Sequence, residues 1–143
     1  MKISKVKIVK TPTRGTPESA GIDFFVPEGI FANLSPGQSC LIPSGIKANV
    51  PTGHALVAFN KSGVAVKKNL HVGACVVDED YQGEIHIHLN NTGVETVEIS
   101  PGEKIIQFIL LPVFYDIIEE VNLENLYEKE SIRGEGGFGS TGT

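Results

Sequence analysis

Ser39-Cys40-Leu41-Ile42-Pro43-Ser44-Gly45-Ile46-Lys47-Ala48-Asn49-Val50-Pro51-Thr52-Gly53-His54-Ala55-Leu56-Val57-Ala58-Phe59 reads as three short strands cut by two Pro-x-Gly turns. Proline fixes φ and removes a ladder donor, and glycine opens the left-handed region, so each triplet reverses the chain. Pro27-Glu28-Gly29 and Ser35-Pro36-Gly37 repeat the device upstream, after a strand at Ile22 to Val26. Downstream, strands are expected at Cys75 to Asp78, Ile85 to Leu89, Glu95 to Ile99 and Lys104 to Val113, the last being the most apolar. Lys2 to Lys10 alternates, with Ile3, Lys5, Lys7 and Val9 on one side, and predicts an early, partly exposed strand. Only Asn122 to Lys129 offers a helix. Turn signals at intervals of roughly ten residues, without a strand–helix–strand rhythm, predict an all-β sandwich, jelly roll or barrel.

The chain has 143 residues, enough for one domain with a real core. Its formal charge of −5 argues against a nucleic-acid surface and leaves small anionic ligands open. Lys61, Lys67 and Lys68 form one local basic cluster. No long apolar run lies near the start, so neither a signal peptide nor a membrane span is expected. Cys40 and Cys75 lack CxxC spacing and read as small buried residues of the cytoplasm or another reducing intracellular compartment. A disulfide between them stays open at this level.

Asp78-Glu79-Asp80-Tyr81-Gln82-Gly83-Glu84 is an acidic turn between two apolar strands. A carboxylate at the strand end, Asp78, can orient and deprotonate a water, and Tyr81 can pack flat against a sugar. The plainer reading is a solvated hairpin. Asn60-Lys61-Ser62-Gly63 combines an ammonium, a hydroxyl and a glycine N–H as a small anion-binding set, outside the GxxxxGK[ST] pattern. Ala20-Gly21-Ile22-Asp23 places a carboxylate at a strand start, and Gln107 is a polar amide inside an apolar strand that needs a partner. His86 and His88 share a strand face, but a third metal ligand is not evident nearby, so packing or interface roles are favoured. The tail, Arg133-Gly134-Glu135-Gly136-Gly137-Phe138-Gly139-Ser140-Thr141-Gly142-Thr143, has five glycines in eleven residues. Such a backbone can wrap phosphate, while Arg133 clamps oxygens and Phe138 stacks on a base; the same composition also suits a disordered tail.

Taken in order, these segments resemble the trimeric dUTPase (deoxyuridine 5'-triphosphate nucleotidohydrolase) family over nearly the whole chain. The five stretches are Ala20 to Phe24, Asn60 to Gly63, Val76 to Gly83, Gly102 to Gln107, and the tail from Arg133. The resemblance implies an all-β, jelly-roll-like (β-clip) subunit in a homotrimer. Residues 1–130 would form the β domain, and residues 131–143 a flexible arm closing over a site on a neighbouring subunit. Asp78 would activate the attacking water, and Tyr81 would lie beneath the deoxyribose. Backbone at Cys75 and towards His86 would read the uracil edge. Lys61, Ser62, Gly63 and Gln107 would bind phosphate. Asp23 would meet the metal indirectly, through water. Arg133 would grip the terminal phosphate, Phe138 would cover uracil, and Gly139, Ser140 and Thr141 would wrap the phosphates. Magnesium would be held mainly by the triphosphate. The implied reaction is dUTP to dUMP and pyrophosphate, with no nucleic-acid or membrane partner. Two departures stand out: the family usually has arginine at Lys61 and often glycine at Cys75. A dCTP deaminase-like enzyme and a trimeric nucleotide-binding regulatory protein are the rival readings.

Overall fold

The computed structural model describes residues 1–137 and 140. Its strands are β1 (Lys2–Lys5), β2 (Ile22–Phe25), β3 (Ala32–Leu34), β4 (Ser39–Pro43), β5 (Ile46–Asn49), β6 (His54–Phe59), β7 (Leu70–Val72), β8 (Val76–Val77), β9 (His86–Asn91), β10 (Val97–Ile99) and β11 (Lys104–Pro112). One helix, α1 (Ser62–Lys68), interrupts them, and a 3-10 turn lies at Leu123–Asn125. A four-stranded sheet runs β2-β11-β6-β8 and a three-stranded sheet runs β4-β9-β7. Two ribbons, β1-β5 and β3-β10, complete the fold, and every pairing is antiparallel.

One apolar core is filled from both sheets and both ribbons. Phe24, Leu56, Ile106 and Phe108 come from the larger sheet, Ile42, Leu70, Ile87 and Leu89 from the smaller, and Leu34, Ile46 and Ile99 from the ribbons. The Phe24 and Phe108 rings pack with centroids 4.5 Å apart. β11 is central: Gln107 lies opposite Asp23 on one side and Phe59 on the other. A bulge between Lys104 and Ile106 shifts its alternation by one residue. The turns behave as their composition demands, with Gly29, Gly37, Gly45 and Gly53 at φ near +75°, a region closed to most side chains.

Some boundaries differ from the sequence expectation. The first strand stops at Lys5: after the Val6 N–H meets the Gly45 carbonyl the chain leaves β5, and the Ile8 carbonyl accepts from the Glu28 N–H instead. Val9 is buried, whereas Lys5 and Lys7 on the same side of the alternation are exposed. Asn122 to Lys129 forms no α-helix, only the 3-10 turn, since those side chains find no apolar surface to cover. The α-helix lies instead at Ser62–Lys68. Gly63 and the β-branched Val64 and Val66 hide it from propensity. It is secured from outside, by Val64 against the core, by Asn69 in the left-handed cap, and by a Lys68–Glu103 ion pair at 2.6 Å. Cys40 and Cys75 are free thiols; burial raises the Cys40 pKa, partly offset by a hydrogen bond with the Leu89 backbone.

Candidate active site

Three of the short polar segments meet at one end of the larger sheet. β2 carries Asp23 into the interior, where its carboxylate is almost fully buried. A buried carboxylate requires a counter-charge, and two ammonium groups supply it. Lys61 Nζ pairs with Asp23 Oδ1, and Lys104 Nζ lies 3.5 Å from Oδ2. Gln107, directly opposite Asp23 in the ladder, donates from Nε2 to the Asn60 carbonyl at 2.8 Å. Its side chain lies against Gly21, where any Cβ would overlap it, so that position requires glycine. Asn60 closes the corner: its Oδ1 accepts the Val72 N–H at 2.8 Å, and its Nδ2 lies 3.2 Å from His71 Nδ1. Ser62 and Gly63 follow as the exposed first turn of α1. The corner therefore combines two ammonium groups, a hydroxyl and a helix-start N–H turn around one carboxylate, an arrangement suited to a multiply charged anion.

A second group lines a pocket of about 190 Å³ against the core residues Phe108 and Ile85. Cys75, Asp78, Tyr81 and His86 all border it. β8 ends at Val77 and leaves Asp78 exposed at the lip, followed by a tight turn in which the Tyr81 N–H meets the Asp78 carbonyl at 3.2 Å. The Tyr81 ring folds back over Gly83, where a Cβ would overlap it. Its hydroxyl donates to the Glu84 carbonyl at 2.9 Å. The Cys75 carbonyl accepts the Ala58 N–H at 2.7 Å, which seats the pocket wall on β6. His88 does not join His86 as a ligand pair: its Nδ1 accepts the Ala74 N–H at 2.8 Å and props the loop before β8.

Among the described residues, no side-chain hydrogen bond or ion pair joins the two groups. Arg133 is exposed, and its Nε donates locally to the Gly136 carbonyl at 2.7 Å. Ser140 is exposed in a turn closed by its N–H to the Gly137 carbonyl. Phe138, Gly139 and Thr141 lie outside the described residues. The sequence reading missed Lys104 as a partner of Asp23. The bulge in β11 brings residues 104 and 107 to one face, and strict alternation assigns them to opposite faces. It also left His71 unassigned, since only the fold places β7 beside the turn after β6.

Residues 7–142 match the family model described as dUTPase. The chain is 40% identical over 131 residues to the deoxyuridine 5'-triphosphate nucleotidohydrolase of Mus musculus, covering 92% of this chain and 77% of that protein. It is 35% identical over 153 residues to that of Anaplasma marginale, covering 97% and 99% respectively. Among solved structures, Staphylococcus bacteriophage 80alpha dUTPase with dUPNHPP superposes with a TM-score of 0.88 at 23% identity, over 99% of this chain and 98% of that one. A mutant dUTPase from phage phi11 of S. aureus, described with a structural Mg(II) ion, superposes with a TM-score of 0.79 at 19% identity, over 90% of this chain and 98% of that one. The match spans nearly the whole chain and takes in every one of the segments just described, and on that ground this chain belongs to the dUTPase family.

Proposed function

We propose that this chain hydrolyses dUTP to dUMP and pyrophosphate as a magnesium-dependent enzyme of nucleotide metabolism. The observation that carries the reading is Asp78 at the lip of a pocket that Tyr81 walls from the side. A pyrimidine fits a cleft of that size, and the exposed carboxylate stands where a water can be oriented and deprotonated. Attack of that water on the α-phosphorus expels pyrophosphate. The remaining barrier falls mainly by positioning and charge neutralisation.

In this reading Tyr81 lies beneath the deoxyribose and leaves no room for a 2′-hydroxyl, and backbone at Cys75 and His86 reads uracil. Lys61, Ser62, Gly63 and Gln107 bind the phosphates. No group of three or more His, Cys, Asp or Glu side chains converges among the described residues. In this reading magnesium arrives on the triphosphate. Asp23, already neutralised by two ammonium groups, would face its water shell. When bound, the ion offsets charge on the phosphate oxygens.

The separation of the two groups supports a site shared between subunits. So does the chain beyond β11. Phe114, Ile117, Ile118, Leu123 and Tyr127 are all highly exposed, Ile118 at 98%, although they are large and apolar. A run of that kind fits a segment that docks on a neighbour. The proposed assembly is a homotrimer, the number three coming from the resemblance. Residues 1–130 form the body and residues 131–143 the arm. In the arm Arg133 holds the terminal phosphate, Phe138 covers the base, and Gly139, Ser140 and Thr141 wrap the phosphates. The proposed location is the cytoplasm or another reducing intracellular compartment. Incubation with dUTP, dCTP and dTTP plus magnesium, followed by product separation, tests the reading. Formation of dUMP and pyrophosphate is expected from dUTP. Deamination of dCTP, or binding of dUTP without turnover, overturns it.

A further inference from the structure

Glu84 closes the acidic hairpin, and its side chain and backbone face different partners. The carboxylate is 19% exposed. Its Oε1 accepts the Gly45 N–H at 2.8 Å, and its Oε2 lies 3.4 Å from Lys7 Nζ. Gly45 sits at φ +74°, and its own carbonyl accepts the Val6 N–H at 2.8 Å. The next residue is stitched to the same turn, with the Ile85 N–H on the Ile46 carbonyl at 2.9 Å and the Ser44 N–H on the Ile85 carbonyl at 3.0 Å. On the pocket side, the Glu84 carbonyl oxygen accepts twice, from the Tyr81 hydroxyl and from His86 Nδ1, each at 2.9 Å. One peptide oxygen thus holds two of the polar side chains at the pocket mouth, those of Tyr81 and His86, and one carboxylate ties that peptide to the body of the fold.

We propose that Glu84 is a positioning residue for sugar selection, acting through Tyr81. The proposal rests on the dUTP reading above and deepens it. A tyrosine ring at a hairpin tip, 44% exposed, is only partly held by packing. Its hydroxyl bond to the Glu84 carbonyl supplies the rest, and the Gly83 position leaves space for the ring to lie back. The carbonyl can hold the ring only as firmly as it is itself held, and the carboxylate bonds to Gly45 and Lys7 hold it. A charge-assisted hydrogen bond to a backbone N–H is among the stronger single contacts available to a part-buried carboxylate. Sequence position alone marks Glu84 as one more acid in an acidic turn. The fold sets it apart by placing the turn beside Lys7 and Gly45, 77 and 39 residues away in the chain.

The test compares kcat/KM for dUTP and UTP in Glu84→Ala, Glu84→Gln and the unmodified protein. Glu84→Ala is expected to lower the dUTP preference roughly tenfold, the scale of one lost charge-assisted hydrogen bond. Glu84→Gln keeps an oxygen for the Gly45 N–H and is expected to hold the preference within about threefold of the unmodified value. An unchanged preference in folded Glu84→Ala, or an equal loss on both nucleotides, overturns the proposal, as does Gln behaving like Ala. A second measurement needs neither variant nor turnover. Side-chain nitrogen NMR of the unmodified protein without nucleotide, at mildly alkaline pH, is expected to find the His86 proton on Nδ1. A proton on Nε2 instead removes the shared carbonyl and overturns the proposal. Failure to hydrolyse dUTP overturns the activity while leaving this tautomer result standing, so the two failures are distinguishable.

Discussion

The ammonium of Lys61 and the carboxylate of Asp23 form an ion pair that ties the turn after β6 to the centre of β2. Asp23 is 6% exposed and Lys61 24%, whereas Lys104, the second cation on the same carboxylate, is 49% exposed. Burial, more than charge count, ranks the two.

Lys61→Met is therefore expected to cost about 1–3 kcal/mol of stability, less than a wholly orphaned buried charge because Lys104 remains. Lys104→Met should cost under about 1 kcal/mol, the scale of an exposed pair. Urea denaturation of the two variants measures both. Equal losses would show that burial of the pair does not govern its strength.

Asp78 is exposed, and no side-chain hydrogen bond involves it among the described residues. Asp78→Asn should lower kcat on dUTP by roughly a hundredfold or more, the usual scale for a lost general base, while the thermal midpoint stays put. Mixing this variant with one truncated at 130 should restore part of the activity after subunit exchange, since some mixed sites then draw both parts from intact donors. Verified exchange with no recovered turnover would argue that each site is built from one chain.

Gly83 lies beneath the Tyr81 ring. Gly83→Ala forces the ring out, and the ring, a side chain with an exposed end, yields more readily than backbone. The expected result is a lower dUTP-to-UTP ratio of kcat/KM with little change in stability. A preserved ratio would place the sugar discrimination elsewhere.

Tyr115 sits just past β11, and its hydroxyl donates to Glu79 Oε2 at 2.9 Å. That bond raises its pKa above the ordinary value, with smaller contributions from partial desolvation and from the charges of Glu79, Asp78 and Asp80. A folded pKa above the unfolded one means that this stabilising contact is fully present below the unfolded value of about 10. It is lost as pH rises through the folded value. Ultraviolet titration should find one of the three tyrosines ionising late, and Tyr115→Phe should remove that late step. Alkaline melting of the variant should depend less on pH than that of the unmodified protein. A titration curve unchanged by the substitution would contradict the contact.

The sheet architecture was legible because Pro-x-Gly triplets and apolar strands carry local information. Pro43-Ser44-Gly45 and Pro51-Thr52-Gly53 can do little except turn, and Lys104 to Pro112 has the apolar character of a central strand. α1 was not legible, because its stability comes from Val64 packing, the Asn69 cap and the Glu103 contact, all outside the helix's own propensity. The predicted helix at Asn122 to Lys129 failed for the complementary reason: a favourable pattern has no effect without a surface to bury it.

Motif composition was likewise readable as residue types at fixed spacing: Asp78 to Gly83 as a turn with an acid and an aromatic ring, Lys61 to Gly63 as an ammonium, a hydroxyl and a glycine N–H in sequence. Their partners were not. That Lys104 shares Asp23 depends on a bulge that alternation cannot reveal. That Gly21 accommodates Gln107 depends on two strands meeting in one register. That Glu84 answers to Lys7 and Gly45 depends on long-range closure. Which groups are present and where the chain turns follow from residue order alone, since φ restrictions and hydrophobic pattern act over a few residues. Which charge meets which, and which side chain is held still, follow only from the packed fold, because those outcomes depend on burial and distance between segments far apart in the chain.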